Sequence, residues 1–327
     1  MSMAVRVHAF GGPDVLRYED VAVGEPKEGQ VRLRQTAAGI NYRDIYARNG
    51  QGGYAADQLP MGLGGEGVGV VEALGPGVTA LTLGDRVSYA LGALGAYAEA
   101  RIMPAGSLVK IPANISDETA AGMMVKGLTA HALIRSAYPV KAGDTVLVHA
   151  AAGGLGLILC QWAKHLGATV IGTTSGEEKA TFARANGCDH VILYTREAFA
   201  PKVKKLTGGK GVAAVFDGVG KDTYRGDLEC LAVRGSLVGY GHTSGVFPSV
   251  DPLELMERGS LIFQRISSRH FMATRAELEM RAGEIFDLVG RGAIKIAINQ
   301  RYALKDAAQA HRDLEARKTT GSSIFVI

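Results

Sequence analysis

Cysteine is almost missing from this chain: three among 327 residues, at positions 160, 188 and 230. Three scattered thiols cannot build a disulfide framework, and no cysteine precedes residue 160 to supply a thiolate-rich metal lobe. A reducing cytoplasm is the compartment that this usage fits. Long apolar runs are missing as well. No 18 uninterrupted apolar residues occur, so no hydrophobic helix is expected to span a membrane. The opening Met-Ser-Met-Ala-Val-Arg-Val-His lacks an apolar h-region and reads as a first strand rather than a secretory signal. Charge of one sign is scarce: 36 Lys and Arg face 32 Asp and Glu, for a formal +4. The basic stretch Lys202 to Lys210 reads as a helix end with its exposed loop, so nucleic-acid binding is not expected. A slightly basic surface still helps to draw in an anionic cofactor. The eight histidines form no paired motif of the kind a zinc site uses.

Glycine is what the chain has in quantity, 44 in all, and with 47% hydrophobic residues it describes a turn-rich α/β protein. Single cores usually stop growing near ~250–300 residues, so two domains are expected. The first part, to about residue 120, is β-rich. Its strands include Val31-Arg-Leu-Arg-Gln-Thr, Gly67-Val-Gly-Val-Val-Glu-Ala-Leu and Asp85-Arg-Val-Ser-Tyr-Ala, with Gly-Pro and Pro-Gly pairs marking turns. From Ser116, a candidate N-cap, the pattern turns helical through Arg135. Strand and helix then alternate from Val146 to Tyr240, the signature of a parallel, doubly wound sheet. The strand ends Asp217-Gly-Val-Gly and Tyr240-Gly-His-Thr should border its ligand crevice.

The most informative segment is Thr145-Val-Leu-Val-His-Ala-Ala-Ala-Gly-Gly-Leu-Gly156, which runs straight into Leu157 to Leu166. That order is strand, tight turn, helix. Gly153 and Gly156 hold the last two glycine positions of the dinucleotide fingerprint, and Ala151 stands at the first. Gly153 lets backbone approach a pyrophosphate, Gly156 lets the helix pack on the strand, and the helix N-terminus offers unpaired N–H groups. The second strand, Gly167 to Thr174, follows at the right distance. Units that bind NAD put an acid at its end for the ribose hydroxyls. Here Thr173, Thr174, Ser175 and Gly176 stand there, and Glu177 and Glu178 read as the start of the next helix. Lys179 follows, a charge that attracts a 2′-phosphate, which points to NADPH. From spacing alone, Lys179 is equally an ordinary solvated helix lysine.

Together these segments resemble the medium-chain dehydrogenase/reductase superfamily, and within it the zinc-free quinone oxidoreductases related to ζ-crystallin. The likeness is carried by Gly11-Gly-Pro-Asp-Val-Leu16, Gly39-Ile-Asn-Tyr-Arg-Asp44, Gly84-Asp-Arg-Val87, Gly95-Ala-Tyr97, Lys126-Gly-Leu-Thr129, His149 to Gly156, Asp217-Gly-Val-Gly220 and Gly321-Ser-Ser323, spread over almost the whole chain. It implies a doubly wound parallel (Rossmann) sheet plus a β-rich GroES-like catalytic domain. The catalytic domain would hold residues 1–124 and 268–327, the dinucleotide-binding domain 125–267, and the protein would be a homodimer.

The resemblance also carries residue roles. Asn41 and Tyr46 would line the site by the nicotinamide, an amide and a phenol able to donate to an acceptor oxygen as it gains charge; Tyr46 also reads as a packing residue of a short helix. Tyr54 is a candidate substrate contact, on a loop lengthened by Gln51-Gly-Gly53. Lys126, Thr129, Gly153, Gly154, Leu155, Gly156, Ser175, Gly176, Gly218 and Val219 fall on the cofactor path. Lys179, Tyr194 and Arg317 match the surroundings of the 2′-phosphate. Tyr240, Gly241, His242 and Thr243 match a loop under the nicotinamide ribose, where relatives often carry Phe-Gly-Asn-Ser. Arg265, Ile266 and Ser267 would approach from the other side.

Zinc-dependent relatives place a cysteine near the position of Asn41, a Gly-His-Glu motif, and a four-cysteine lobe. Here the motif reads Gly64-Gly65-Glu66 and no metal is expected. Glu66 has lost its metal context and its role stays open. His149 reads as a hydrogen-bonded strand-end residue rather than a ligand. Without metal, the chemistry implied is direct hydride transfer to an acceptor that is already electrophilic, and quinones fit. Two alternatives stay open: NADPH-dependent reduction of activated C=C bonds in 2-alkenals, enones or enoyl thioesters, and a non-enzymatic NADPH-binding module.

Overall fold

The computed structural model describes residues 2–327, which form two compact units. Of the described residues, the first comprises 2–128, 274–290 and 296–327; the second comprises 129–273 and 291–295. The chain begins with β1 (Ser2–Val7), β2 (Leu16–Val21), β3 (Gln30–Ile40), α1 (Tyr42–Arg48), β4 (Met61–Gly62), β5 (Glu66–Leu74), β6 (Arg86–Ala90), β7 (Ala100–Pro104), β8 (Val109–Lys110) and α2 (Asp117–His131). It continues with β9 (Thr145–Val148), α3 (Gly154–His165), β10 (Thr169–Thr174), α4 (Glu177–Arg184), β11 (His190–Leu193), α5 (Phe199–Leu206), β12 (Val212–Asp217), α6 (Tyr224–Cys230), β13 (Leu231–Gly239), α7 (Pro252–Glu257) and β14 (Ile262–Arg265). Last come α8 (Arg275–Gly290), β15 (Ile298–Ala303), α9 (Ala307–Glu315) and β16 (Ser322–Val326).

In the first unit, β2-β1-β4 form a small antiparallel sheet, and β15-β16-β3-β5-β6-β8 a larger one, to which β7 adds along β3. Strand β3 shows why. Val31, Leu33 and Gln35 are buried while Arg32 and Arg34 reach outward, the period-two pattern of a strand with one wet face. From Ala37 to Ile40 both faces are buried, where β16 lies antiparallel alongside. Ser116 caps α2 as its residue type suggests, its hydroxyl accepting from the Thr119 N–H at 3.2 Å.

The second unit is one parallel sheet in the order β11-β10-β9-β12-β13-β14. Its central strands are apolar on both faces: Val146, Leu147 and Val148 of β9, and Ala214, Val215 and Phe216 of β12, are all inaccessible to solvent. Two elements differ from the sequence reading. The last strand expected, Ser236 to Tyr240, falls on the end of β13, which stops at Gly239, and β14 runs beside it, Ser236 opposite Ile262. Only four residues long and largely exposed, β14 is too short for an apolar pattern to announce it. Helix α3 starts at Gly154, not Leu157, because the glycine turn is itself the first helical turn. Among the described residues no helix is long and apolar enough to cross a membrane.

Candidate functional site

The nucleotide loop is built by β9 handing the chain to α3. Ala151 N–H donates to the Thr173 carbonyl at 3.1 Å, which ties the loop to the end of β10. Gly153 then caps α3 in an extended conformation, with its own N–H on the Ala150 carbonyl at 2.9 Å. A Cβ at Gly156 would overlap the Ala150 oxygen and stand 2.9 Å from Ala151 Cα, so only glycine lets the helix lean on the loop this closely. The alanine at the first fingerprint position is accommodated from beneath. Gly172 in β10 has no side chain, and a Cβ there would lie 2.6 Å from the Ala151 methyl. The glycine usual in the turn is absent because a neighbouring strand supplies the room. Both features fit a bound pyrophosphate: the first turn of α3 is left bare, and its N–H groups face no side chain of their own cap.

Most of the other residues expected on the cofactor path sit at strand ends of the same unit. Thr173 and Thr174 are buried at the end of β10, and Gly176 caps α4, whose first turn carries Lys179. Glu177 pairs with Arg196 at 2.9 Å, which leaves the neighbourhood less acidic than the sequence alone suggests. Tyr194 follows β11, its N–H on the Thr174 carbonyl at 3.2 Å. After β12 and β13 the loops are laced together: Tyr240 N–H to Asp217 O at 2.8 Å, Thr243 N–H to Gly218 O at 3.1 Å, Ser244 N–H to Val219 O at 2.9 Å. A Cβ at Gly241 would sit 2.6 Å from the Gly218 oxygen, so that crossing needs its glycine. Arg265 donates to Ile266 O at 2.6 Å and meets His242 Nδ1 at 3.4 Å, and burial, with Arg265 adding to it, holds the His242 imidazole below its ordinary pKa. Ser268, next to Ser267, bonds Thr129 at 2.9 Å. Arg317 lies in the other unit, in a left-handed conformation just past α9.

Beneath the glycine loop lies a buried network the sequence did not reveal. His149 Nδ1 meets Thr173 Oγ1 at 2.8 Å and Nε2 meets Asp227 Oδ1 at 2.7 Å. Asp217 accepts from the N–H groups of Val219 (2.6 Å) and Gly220 (3.1 Å) and from the Thr223 hydroxyl (2.8 Å). Burial pushes Asp227 up to about 7 against the pull of the imidazole. Burial also opposes charge on His149, but the Asp227 carboxylate, with Asp217 adding to it, outweighs burial and raises the His149 pKa. His149, Asp217 and Asp227 could be grouped as metal ligands by distance, within 4.8 Å of one another. Their chemistry says otherwise: Asp217 already faces three hydrogen-bond donors, and both imidazole nitrogens are engaged.

In the first unit, Asn41 follows β3 and caps α1, its N–H on Asp44 Oδ2 at 2.9 Å. Its amide Nδ2 donates to Glu66 Oε2 at 2.7 Å; Val125 N–H donates to Oε1 at 2.7 Å and Lys126 Nζ reaches Oε2 at 3.3 Å. Asn41, Glu66 and Lys126 are thus brought together from three elements, and all three are buried. Tyr46 lies half-buried on α1, edge-on to Tyr42 with ring centres 5.3 Å apart. Tyr54 is reached by Arg43, whose Nε donates to its hydroxyl at 3.2 Å. Asp44, fully buried, also accepts from the Tyr97 hydroxyl at 2.8 Å. The sequence reading missed Asp44; Asn41-Tyr-Arg-Asp44 has the spacing of a helix capping box, the one local signal that could have marked it.

Residues 154–287 match the family described as zinc-binding dehydrogenase, and residues 27–113 match the alcohol dehydrogenase GroES-like domain. A quinone oxidoreductase of Pseudomonas aeruginosa is 46% identical over 326 residues, covering 100% of both chains. The 2-haloacrylate reductase of a Burkholderia species is 45% identical over 333 residues, covering 100% of this chain and 99% of that one. The crystal structure of Escherichia coli quinone oxidoreductase complexed with NADPH superposes with a TM-score of 0.96 at 42% identity, covering 99% of this chain and 100% of that one. A GroES-like unit joined to a nucleotide unit of this kind defines a medium-chain dehydrogenase/reductase. Within that superfamily the chain belongs to the quinone oxidoreductase family.

The zinc in the family's description does not fit these residues. Asn41 and Gly65 stand where ligands would be needed, and Glu66 already accepts from an amide, a peptide N–H and an ammonium.

Proposed function

We propose that the protein is an NADPH-dependent, zinc-independent quinone reductase that works in the cytoplasm as a homodimer. The observation that carries this reading is the Asn41–Glu66–Lys126 cluster, an amide and an ammonium on one buried carboxylate where zinc-dependent relatives hold a metal. Such a set can position and donate hydrogen bonds but polarises weakly, which suits an acceptor that is electrophilic unaided. NADPH supplies the hydride when bound. On the nucleotide unit, Gly153, Gly154, Leu155 and Gly156 would take the pyrophosphate. Ser175, Gly176, Lys179 and Tyr194 would take the adenosine end. Thr129, Gly218, Val219, Tyr240 to Thr243 and Arg265 to Ser267 would take the nicotinamide half. On the catalytic unit, Asn41 and Lys126 would face the nicotinamide, Arg317 the 2′-phosphate, Tyr46 the acceptor oxygen and Tyr54 the acceptor. The test is NADPH oxidation with benzoquinones and naphthoquinones beside 2-alkenals and 2-haloacrylates; turnover of the alkenes alone would overturn the quinone assignment. The second reading, reduction of activated C=C bonds, is favoured by the 45% identity to a 2-haloacrylate reductase.

NADPH is expected to be preferred over NADH in kcat/KM, and Lys179→Ala to erase much of that preference. Equal values for the two cofactors in the wild type would contradict the assignment. Tyr46→Phe is expected to lower kcat by ~3–30-fold, less than the on the order of 100-fold typical of oxyanion donors, because a quinone needs little help. NADPH affinity should hardly change, and an unaltered kcat/KM with several quinones would reduce Tyr46 to a wall residue.

The dimer is supported by the edge of the parallel sheet. Ile262 of β14 is 48% exposed and Val233 of β13 is 74% exposed, with Leu253 and Met256 of α7 also open to solvent. An apolar sheet edge invites pairing, and an isologous partner covers it economically. Light scattering at micromolar concentration should return twice the 34.3 kDa chain mass; a monomer would count against the assembly.

A further inference from the structure

Direct hydride transfer needs no carboxylate of its own, yet the fold makes room for Glu66 with care. The carboxylate is inaccessible to solvent at the start of β5. Beneath it Gly39 of β3 is bare: a Cβ there would overlap Glu66 Oε2 and the Ala121 carbonyl oxygen and lie 2.6 Å from Glu66 Cδ. The charge is then matched by donors from two segments, Asn41 Nδ2 from just past β3 and Val125 N–H and Lys126 Nζ from α2. A buried carboxylate is costly unless paired and hydrogen-bonded, and this one is both.

Two consequences follow for its partners. The bond at 2.7 Å uses one of the two amide hydrogens of Asn41 and settles the amide's orientation, since Oδ1 is turned away from a negative charge. With the Asn41 N–H held on Asp44 Oδ2, both the backbone and the side chain of this residue are pinned. Lys126, 8% exposed, would bury an uncompensated ammonium without Glu66.

We infer that Glu66 is a positioning residue, one buried carboxylate that orients the Asn41 amide and the Lys126 ammonium together. The inference rests on the NADPH-dependent reading for what those two groups face. A merely structural Glu66, clamping β5 to α2, would affect stability but not act through Asn41.

Calorimetric titration with NADPH alone, without any acceptor, separates the two. Wild type, Glu66→Gln, Asn41→Ala and the double variant form one cycle, with melting temperature recorded for each. Each single variant is expected to weaken NADPH on the order of 10-fold, as couplings between contacting residues do. The double variant should fall well short of the product of the two losses. Fully multiplicative losses, a Glu66→Gln protein that binds like wild type, or an Asn41→Ala protein that does so would overturn the inference. If Glu66→Gln does not fold, Glu66→Asp, still charged but shorter, enters the same cycle under the same criterion. Quinone turnover is measured separately: its absence in the wild type would defeat the proposed acceptor and leave the titration decisive. A wild type that binds no NADPH would defeat the cofactor reading and this inference with it.

Discussion

Replacing Gly156 by alanine is expected to lower kcat/KM for NADPH on the order of 100-fold, since small displacements of a positioning loop are costly in rate. The nearest atoms to the added Cβ are all backbone, the Ala150 oxygen and the Ala151 Cα among them, and neither can rotate away. Either α3 withdraws from the loop or the loop opens, and overpacking of this kind typically costs 1–3 kcal/mol of stability, so about that much should be lost. Gly153→Ala is the informative comparison. Its backbone is ordinary for any residue and its Cβ would stand 3.3 Å from the Ala150 oxygen, a contact that a small shift relieves. That variant should melt close to wild type and lose cofactor affinity chiefly through what its methyl meets in the bound state. Steady-state kinetics and thermal unfolding of both variants provide the check. A Gly156→Ala enzyme with wild-type kcat/KM would mean that the close approach of α3 to the loop is immaterial to binding.

The second large effect is expected in acid. Arg48 is buried and donates to Glu315 at 2.6 and 3.1 Å, to Gly11 O at 2.9 Å and to His311 Nδ1 at 3.2 Å. His311 Nδ1 is therefore the unprotonated nitrogen, and Nε2–H is left facing the Tyr97 hydroxyl at 3.4 Å. Burial, reinforced by the Arg48 charge, pushes the imidazole down to about 3. A folded pKa below the unfolded value gives stability that is complete above about 6.5 and is lost as pH falls towards 3. Asp44 has the opposite sign. Burial raises it to about 6, so its contribution is present below its ordinary 3.8 and fades as pH rises through 6. Between about 4 and 6 the two largely cancel, and below about 4 the histidine acts alone at up to ~1.4 kcal/mol per pH unit. His311→Gln keeps an acceptor for Arg48 and a donor for Tyr97 but cannot be protonated. Urea unfolding between pH 3 and 7 should show a shallower acid limb for the variant, by on the order of 4 kcal/mol over the whole window. Identical limbs would show that His311 titrates normally in the folded chain.

The nucleotide unit was the more legible half of the sequence. Strands such as Val146 to Val148 are apolar on both faces because helices cover both sides of a parallel sheet, and short runs of this kind stand out. The glycine turn was readable because its chemistry is local: strand, turn and helix follow one another without a break. The short edge strand β14 was not, since four largely exposed residues leave no pattern. Parts of the catalytic unit were readable only by resemblance, because its sheet joins β3 to β16 across most of the chain. No local rule pairs Ala38 with Phe325.

By itself the sequence determined that two cores would form, that one would be a parallel sheet with a glycine loop, and that the loop would lack an acid at its adenosine end. Each of these depends on residues within one or two consecutive elements, where periodicity and turn chemistry act. Only the tertiary structure decided why Ala151 is tolerated and what Glu66, His149 and His311 meet. Glu66 and Lys126 are 60 residues apart, His149 and Asp227 78, and Arg48 and His311 263. A charge is allowed inside a protein only where partners converge on it, and convergence is a property of the folded chain, not of spacing.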